Sequence, residues 1–462
     1  MRIVHWAPQY GSETGTGKAI QGWLRALSAR GLDCTVISRP LKIPPSPNLR
    51  ILSSSGLWKR LNLFGQEIKT AHVVHLHGAF DLKLCAVHLI IALEKIWRMA
   101  TGQPLHIVIT PHGALSPHVF STNVRKKRIY WNLIERLLAK QTSLAICTTP
   151  VEAGELRVLM PEMRVDVVPL VLPDSEPISS APPVAGSPTL CTLGRYDIRT
   201  KGLDLLIEAV KSLNEEGFPI RLRCVGYDRH GGTRELEDYL DSVSAHEFVE
   251  CVGPKFGDEK LRILAGCDGF CMPSRYESFS YALIEGLESG RPVLVSSGAC
   301  LTSFFRESHR QTLVVEPSAK AWATAIRHML ESPVRNLTCA AEALADLRKH
   351  CTPAKVGEAL ADLYFSLWLP PTARPATVSA VPPTFPTEDA PYHAPAHPAQ
   401  ENLLETALES HPLSHGDPPV APGNEDHFAE KRFCRPDFLP DLLGSPPLRV
   451  DERQPPPGRL FH

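Results

Sequence analysis

GFCMPSRYESFSYALIEGLESGRPVLVSS, residues 269–297, decides the architecture. Four apolar residues, GFCM, read as a buried strand. A turn follows, a helix opens at about Phe279 and stops at Gly290, and the chain re-enters a strand at Pro292. Strand, helix and strand within so few residues make a parallel crossover. The serines at the helix start can cap its first turn, where unpaired N–H groups and a partial positive charge favour a phosphate. Glu277 and Glu285 stand eight residues apart, separated by up to about 12 Å at 1.5 Å rise per residue. That is the extent of a sugar nucleotide, with one carboxylate for the sugar hydroxyls and the other for the ribose. Spacing alone leaves open a second reading, in which both are solvated charges on a helix face.

The same rhythm extends in both directions. Apolar runs at 3–6, 34–37, 73–76, 107–110, 144–147 and 165–168 alternate with helical patterns such as 20–30 and 129–140. A Pro/Ser/Gly-rich linker begins at Asp174. Runs at 189–193, 222–225, 248–252, 269–272, 293–295 and 313–315 then repeat the scheme, with helices such as 203–213 between them. Two doubly wound α/β domains follow from this alternation, with ligands beyond the carboxyl ends of the strands. From Leu369 the pattern is lost, and nearly half of the 43 prolines fall in this last fifth. The tail 369–462 is expected to be disordered, with a Pro-rich recognition segment as its functional alternative.

Composition excludes several classes. Lys plus Arg (49) balances Asp plus Glu (50), which gives no field to draw nucleic acid. The twelve cysteines are scattered without a C-x-x-C pair or a metal-ligand spacing, so they read as buried thiols of a reducing cytosol, and neither metal nor cofactor is expected. The chain starts on a strand, MRIVHW, without signal-peptide regions, and its apolar run 84–93 is too short to cross a bilayer. A cytoplasmic protein is expected.

A second constellation is TLCTLGRYDIRTKGLDLLIEAV, residues 189–210: a strand ending in Gly194, then Arg195, Lys201, Gly202 and a helix. Two cations at a strand's carboxyl end suit a departing diphosphate, whose oxygens gain charge as the glycosyl bond breaks. Singly, each would pass for a surface residue. Near the N-terminus, GSETGTGKAI (11–20) looks like a phosphate-binding loop of the ATPase kind. It fails the pattern, because Ser12 and Ala19 stand where a glycine and a hydroxyl residue are needed.

Gly194-Arg195, Lys201-Gly202-Leu203-Asp204, and Glu277-x7-Glu285 followed by Gly290-Arg291-Pro292-Val293 together resemble the retaining glycosyltransferases of family four. The resemblance covers about residues 1–368. It implies the GT-B fold, two facing Rossmann-like domains with a cleft between them: an acceptor-side domain over 1–173, a nucleotide-sugar donor domain over 188–352, and a helix in 353–368 crossing back to the first.

Carried over by position, Arg195 and Lys201 would stabilise the leaving diphosphate, Glu277 would contact the donor sugar and Glu285 the ribose. Backbone near Phe279, Ser280 and Tyr281 would meet phosphates and sugar. Gly15 and Gly17 would belong to a glycine-rich loop approaching the donor, while Lys18 reads as a surface lysine. His112, in VITPHGALSP, would lie near the reacting sugar and orient the donor or share in proton transfer; a structural histidine is the alternative. His77 has a weaker claim on the acceptor side. Residues 253–256 would read the base through backbone groups.

The implied substrates are a UDP- or GDP-sugar donor and a glycan or lipid-linked glycan acceptor, in exopolysaccharide or lipopolysaccharide synthesis, without metal. RKKRIYWNLIERLLAKQ (125–141) reads as a patch for peripheral contact with the inner membrane face, or as a core helix with a solvated basic end. A sugar-nucleotide epimerase and a non-catalytic sugar-binding scaffold are the competing functions. The chain departs from the family where Thr16 follows Gly15, Ser280 replaces a glycine, Gly286 replaces an alanine, and Leu170-Val171 replaces an asparagine-glycine pair.

Overall fold

The computed structural model describes residues 1–7, 14–40, 46–79, 82–121, 127, 129–131, 136–172, 186–228 and 231–368. The Pro-rich tail, nearly all of the linker and most of the basic stretch 125–135 lie outside the described residues.

Two all-parallel sheets carry the chain. The first contains β1 (Arg2–Ala7), β2 (Asp33–Ser38), β3 (Leu49–Ser53), β4 (Val73–His77), β5 (His106–Thr110), β6 (Leu144–Cys147) and β7 (Val165–Val167), in the order β3-β2-β1-β4-β5-β6-β7. The second contains β8 (Thr189–Arg195), β9 (Arg221–Tyr227), β10 (Val249–Gly253), β11 (Gly269–Met272), β12 (Val293–Ser296) and β13 (Val314–Val315), in the order β10-β9-β8-β11-β12-β13. Strands such as VVHLH and GFCM are buried along their whole length, as expected for parallel strands covered on both faces.

Each strand order reverses once, between β1 and β4 and between β8 and β11. Chains leaving a sheet at such a point diverge to opposite faces and open a crevice at the carboxyl ends. The residues that leave those strands are the ones singled out in the sequence: Gly15 and Gly17 after β1, Arg195 and Lys201 after β8, and Glu277 after β11.

Four local expectations are corrected. The edge strand β3 had no counterpart in the sequence reading. Gly15 and Gly17 do not lie in a loop: the helix Gly15–Ala29 starts at Gly15, because Thr14 caps it by accepting from the Gly17 amide at 3.0 Å. Strand β8 runs through Arg195 instead of ending at Gly194. The helix expected from Phe279 is Tyr281–Glu288, with Ser280 as its cap.

The helix Pro353–Trp368 packs on the helix Gly15–Ala29, which returns the chain to the first sheet. Gly357 permits this approach, since a Cβ there would stand 2.7 Å from the Ala26 carbonyl oxygen. Arg30 fastens the contact by donating to the Ala354 carbonyl at 3.1 Å and pairing with Glu358 at 3.2 Å. One apolar core, from Ile3 and Leu24 through Phe270 and Leu283 to Leu360, is continuous across both sheets.

Candidate active site

Two loops at the carboxyl end of the second sheet are braced against each other. Gly202, at φ +65°, closes the short helix Ile198–Lys201, and a Cβ on it would stand 2.0 Å from the Pro273 carbonyl oxygen. Arg275 binds Asp204 with both terminal guanidinium nitrogens at 2.7 Å and donates to the Arg199 carbonyl at 2.8 Å. Asp204 therefore positions the 273–277 turn. The brace delivers Lys201 to Glu277, and the two side chains form a direct ion pair. Ser274 Oγ lies 3.4 Å from the same carboxylate oxygen. The backbone of Glu277 is anchored separately, its N–H donating to Gly298 at 3.1 Å and its carbonyl accepting from Cys300 at 2.8 Å. Arg195 lines the same shallow cavity as Lys201 and Ser274, and Asp197 holds it at 3.4 Å while capping the Ile198–Lys201 helix.

Glu285 sits in the second turn of the helix Tyr281–Glu288, mostly buried. Its Oε1 is held by Lys260 at 2.7 Å and by Lys18, from the other sheet's first helix, at 3.2 Å. Lys18 also stands over the Tyr281 ring, 6.0 Å from its centroid. Lys18 is half-exposed in the first turn of its helix, as a surface lysine would be, but the sequence reading missed its reach across the cleft to one of the two acids. Tyr281 itself donates to the Val171 carbonyl at 3.2 Å, and a Cβ on Gly15 would touch its ring at 4.0 Å. Phe279 is buried at the start of this turn.

Ser280 adopts φ +60°, ψ 95°, a region that disfavours side chains, while its Oγ accepts from the Leu283 amide at 3.4 Å. Gly caps a helix only a few tenths of a kcal/mol less well, whereas such a backbone costs about 1 kcal/mol or more for serine. Ser280→Gly is therefore expected to raise stability by about 1 kcal/mol in urea unfolding; a loss of that size would show that the cap outweighs the strain. Gly286 also has a local cause, since a Cβ there would enter the Phe270 ring at 2.2 Å.

His112, at φ +52°, follows β5, and a Cβ on its neighbour Gly113 would stand 3.0 Å from Ser278 Cβ. The His112 turn therefore abuts the Glu277 turn across the cleft. The buried carboxylate of Glu152 fixes it, accepting from the amides of Gly113 (2.6 Å) and Thr148 (2.8 Å). One helical turn further, Glu155 accepts from the Tyr276 hydroxyl at 3.1 Å, a bond between the lobes. Burial, with a smaller contribution from Glu152, pushes the Glu155 carboxyl up to about 7, against the lowering effect of the Tyr276 bond.

The raised folded-state value means that the native chain holds more protons than the unfolded chain between about pH 4.5 and 7, so stability falls as pH rises through that window. Glu155→Gln keeps an acceptor for Tyr276 and removes the titration. It is expected to flatten stability against pH over this range in denaturant unfolding, with a gain of up to about 3 kcal/mol at pH 8. An unchanged slope would overturn the assignment.

Behind His112 lies a group of buried imidazoles that the sequence reading missed apart from His77. His5 on β1 and His75 and His77 on β4 share one sheet face, with Trp23 and Tyr364 packed over them. Polar residues recurring at period two inside an otherwise apolar strand were the available signal. Their nitrogens lie within 4.8 Å of one another. However, the His75 and His77 rings stack at 4.2 Å and 27°, and His75 is bonded through both nitrogens, to Tyr364 (2.7 Å) and Thr110 (2.8 Å). Lone pairs of stacked rings run side by side and do not converge on one ion.

Of the backbone groups at 253–256, the Gly253 N–H is already committed to the Tyr196 hydroxyl at 2.9 Å, and Phe256 is exposed.

Residues 187–332 match the family model described as glycosyl transferases group 1. This lobe is a group 1 glycosyl transferase domain. The lobe contains Arg195, Lys201, Glu277 and Glu285, whereas His112, Lys18 and the histidine stack come from the other sheet.

Among curated proteins, the chain is 29% identical over 175 residues to a phosphatidyl-myo-inositol mannosyltransferase of Mycobacterium leprae, covering 36% of this chain and 46% of that protein. It is 28% identical over 168 residues to a D-inositol 3-phosphate glycosyltransferase of Corynebacterium aurimucosum, covering 36% and 40%. The chain thus spans less than half the length of these relatives. Among solved structures, it superposes on a sucrose-phosphate synthase from Thermosynechococcus elongatus with a TM-score of 0.61 at 18% identity, covering 80% of this chain and 99% of that one. Anabaena HepE in complex with UDP-glucose gives 0.60 at 14%, covering 79% and 99%. WaaG, a glycosyltransferase involved in lipopolysaccharide biosynthesis, gives 0.57 at 15%, covering 79% and 99%. Together with the two parallel-sheet lobes, these likenesses show that the group 1 domain belongs to a GT-B fold.

Proposed function

We propose that the protein is a retaining, metal-independent glycosyltransferase moving a sugar from a nucleotide-sugar donor to a hydroxyl acceptor. One observation carries the reading: at the switch point of the second sheet Lys201 from the β8 exit pairs with Glu277 from the β11 exit, Arg195 lines the same cavity as Lys201, and Glu285 stands on the helix that follows. Two cations supply the charge that a departing nucleoside diphosphate needs without a divalent ion, and the carboxylates offer acceptors for hydroxyl groups at both ends of the donor. The neighbour bound to UDP-glucose and the mannosyl- and glycosyltransferase relatives support a nucleotide-sugar donor, UDP- or GDP-linked. A lipid-linked or glycan acceptor at the cytoplasmic membrane face accords with the inositol-lipid and lipopolysaccharide enzymes among those relatives. Among the described residues, no helix is long and apolar enough to cross a membrane.

The test measures nucleotide release from a panel of UDP-, GDP- and ADP-sugars, with and without candidate acceptors, in the presence of a chelator, and reads the product's anomeric configuration by NMR. Acceptor-dependent release with retained configuration is expected. Epimerised nucleotide sugar in place of transfer, or tight donor binding with no turnover, would overturn it in favour of the epimerase or scaffold reading.

A further inference from the structure

Glu277 bridges to Ala299 as residues of a parallel strand do, so successive side chains around it leave the chain on opposite sides. The contacts follow that alternation. Tyr276 and Ser278 both meet the first lobe at Gly113, where a Cβ would stand 3.2 Å from Tyr276 Cε1 and 3.0 Å from Ser278 Cβ. Glu277, between them, meets Lys201 and Ser274 of its own lobe.

The Tyr276 ring stacks on His118 at 5.7 Å and 6°, and its hydroxyl donates to Glu155 at 3.1 Å. Ser116 and the Cys300 thiol also bear on that hydroxyl. The helix that carries Glu155, Pro150–Leu159, packs on the segment Cys300–Phe304, whose first amide holds the Glu277 carbonyl. The main-chain bonds of this turn, from Arg275 to Thr200, from Glu277 to Gly298 and from Cys300 to Glu277, stay within the second lobe. The Tyr276 side chain is what hydrogen-bonds the turn to the first lobe.

Stability does not account for that bond. Glu155 is mostly buried with no cation paired to it among the described residues, and Glu152 on the same helix adds repulsion. Burying such a carboxyl costs more than one hydrogen bond returns. A polar pair kept against its local cost marks a functional constraint.

We propose that Tyr276 and Glu155 are positioning residues whose bond sets the first lobe in register with residues 276–278 and so fixes where the Glu277 carboxylate stands. For the group that Glu277 meets, the donor sugar, this rests on the reading of the cleft as a sugar-nucleotide site.

Steady-state kinetics of the full chain, with thermal melts and hydrogen exchange of the same preparations, test the assignment. Tyr276→Phe keeps the ring on His118 and is expected to lower kcat on the order of tenfold. Glu155→Met, of similar shape but without an acceptor for the hydroxyl, is expected to do the same. Glu155→Gln keeps an acceptor and is expected to stay within about threefold of wild type. Because both residues serve one bond, Tyr276→Phe combined with Glu155→Met is expected to be no slower than the slower single variant, and to melt at or above the wild-type temperature at pH 8. Wild-type kcat in Tyr276→Phe or Glu155→Met, multiplied losses in the double variant, or a slow double variant that melts below the wild type would overturn the proposal.

Hydrogen exchange gives a readout without turnover. The amides of Glu277 and Cys300, which donate to Gly298 and Glu277, are expected to exchange faster in Tyr276→Phe and Glu155→Met than in the wild type and Glu155→Gln. Unchanged exchange would overturn the positioning role. Faster exchange in a protein that turns over no sugar nucleotide would instead remove the glycosyltransferase reading and leave the positioning of Glu277 standing.

Discussion

Lys201→Ala is expected to lower turnover by about 10²- to 10³-fold, the usual consequence of removing one fixed electrostatic partner of a developing anion. The loss should fall on kcat, because the charge on the leaving diphosphate is largest in the transition state. The fold should survive. Lys201 ends a four-residue helix at the cleft wall, and the features that shape its loop are elsewhere: the left-handed Gly202, the Arg275–Asp204 pair and the cap from Asp197. Glu277 keeps Ser274 beside its carboxylate, and its main-chain bonds to Gly298 and Cys300 involve no lysine atom.

The Lys201–Glu277 pair raises a second explanation, in which the lysine only neutralises the acid. Lys201→Ala combined with Glu277→Gln separates the two. If Lys201 acts on the leaving group, the double variant stays at least as slow as the single one, since the missing positive charge is not replaced. If its task is to hold Glu277, removing the acid's charge restores activity. Steady-state kinetics beside thermal melts of the same preparations decide the matter, and a single variant within threefold of wild type would sink the leaving-group role.

What could be read from the sequence follows the range of the interactions concerned. Strands such as LAIC and GFCM were legible because burial on both faces leaves a continuous apolar run. Strand β3, LRILS, was not, because it is an edge strand whose middle is partly exposed and whose apolar content resembles a loop's. The carboxylates and cations of the second lobe were legible because each motif lies within one strand–turn–helix unit, so sequence spacing fixes their spatial relation.

The partners of those residues were not legible. Lys18 meets Glu285 across 267 positions, and Tyr276 meets Glu155 across 121; no local pattern encodes a contact made by docking two sheets. The departures from the family divide in the same way. Gly286 became intelligible only when the Phe270 ring was seen in the space of the missing methyl, and Ser280 only through its backbone angles.

Glu285→Ala is expected to raise the donor KM about 10- to 100-fold while kcat changes by a few-fold at most, because a ribose contact is made alike in the ground and transition states. The geometry supports a hydrogen-bonding role for this acid. Lys18 and Lys260 both engage Oε1, so the carboxylate is oriented at one oxygen while Oε2 takes no part in either pair. A carboxylate so held accepts from a diol without first being ordered, which is where preorganisation raises affinity. The Lys18 contact also ties the first lobe's opening helix to the second lobe, so an effect on lobe closure could imitate an effect on the nucleotide. Lys18→Ala distinguishes them: it removes the contact between lobes and leaves Lys260 to orient the acid. If Glu285 serves the ribose, Lys18→Ala shifts the donor KM less than about threefold, consistent with a half-exposed ion pair worth well under 1 kcal/mol. If Lys18→Ala reproduces the full loss seen in Glu285→Ala, the acid acts by drawing the lobes together, and its assignment to the ribose is withdrawn.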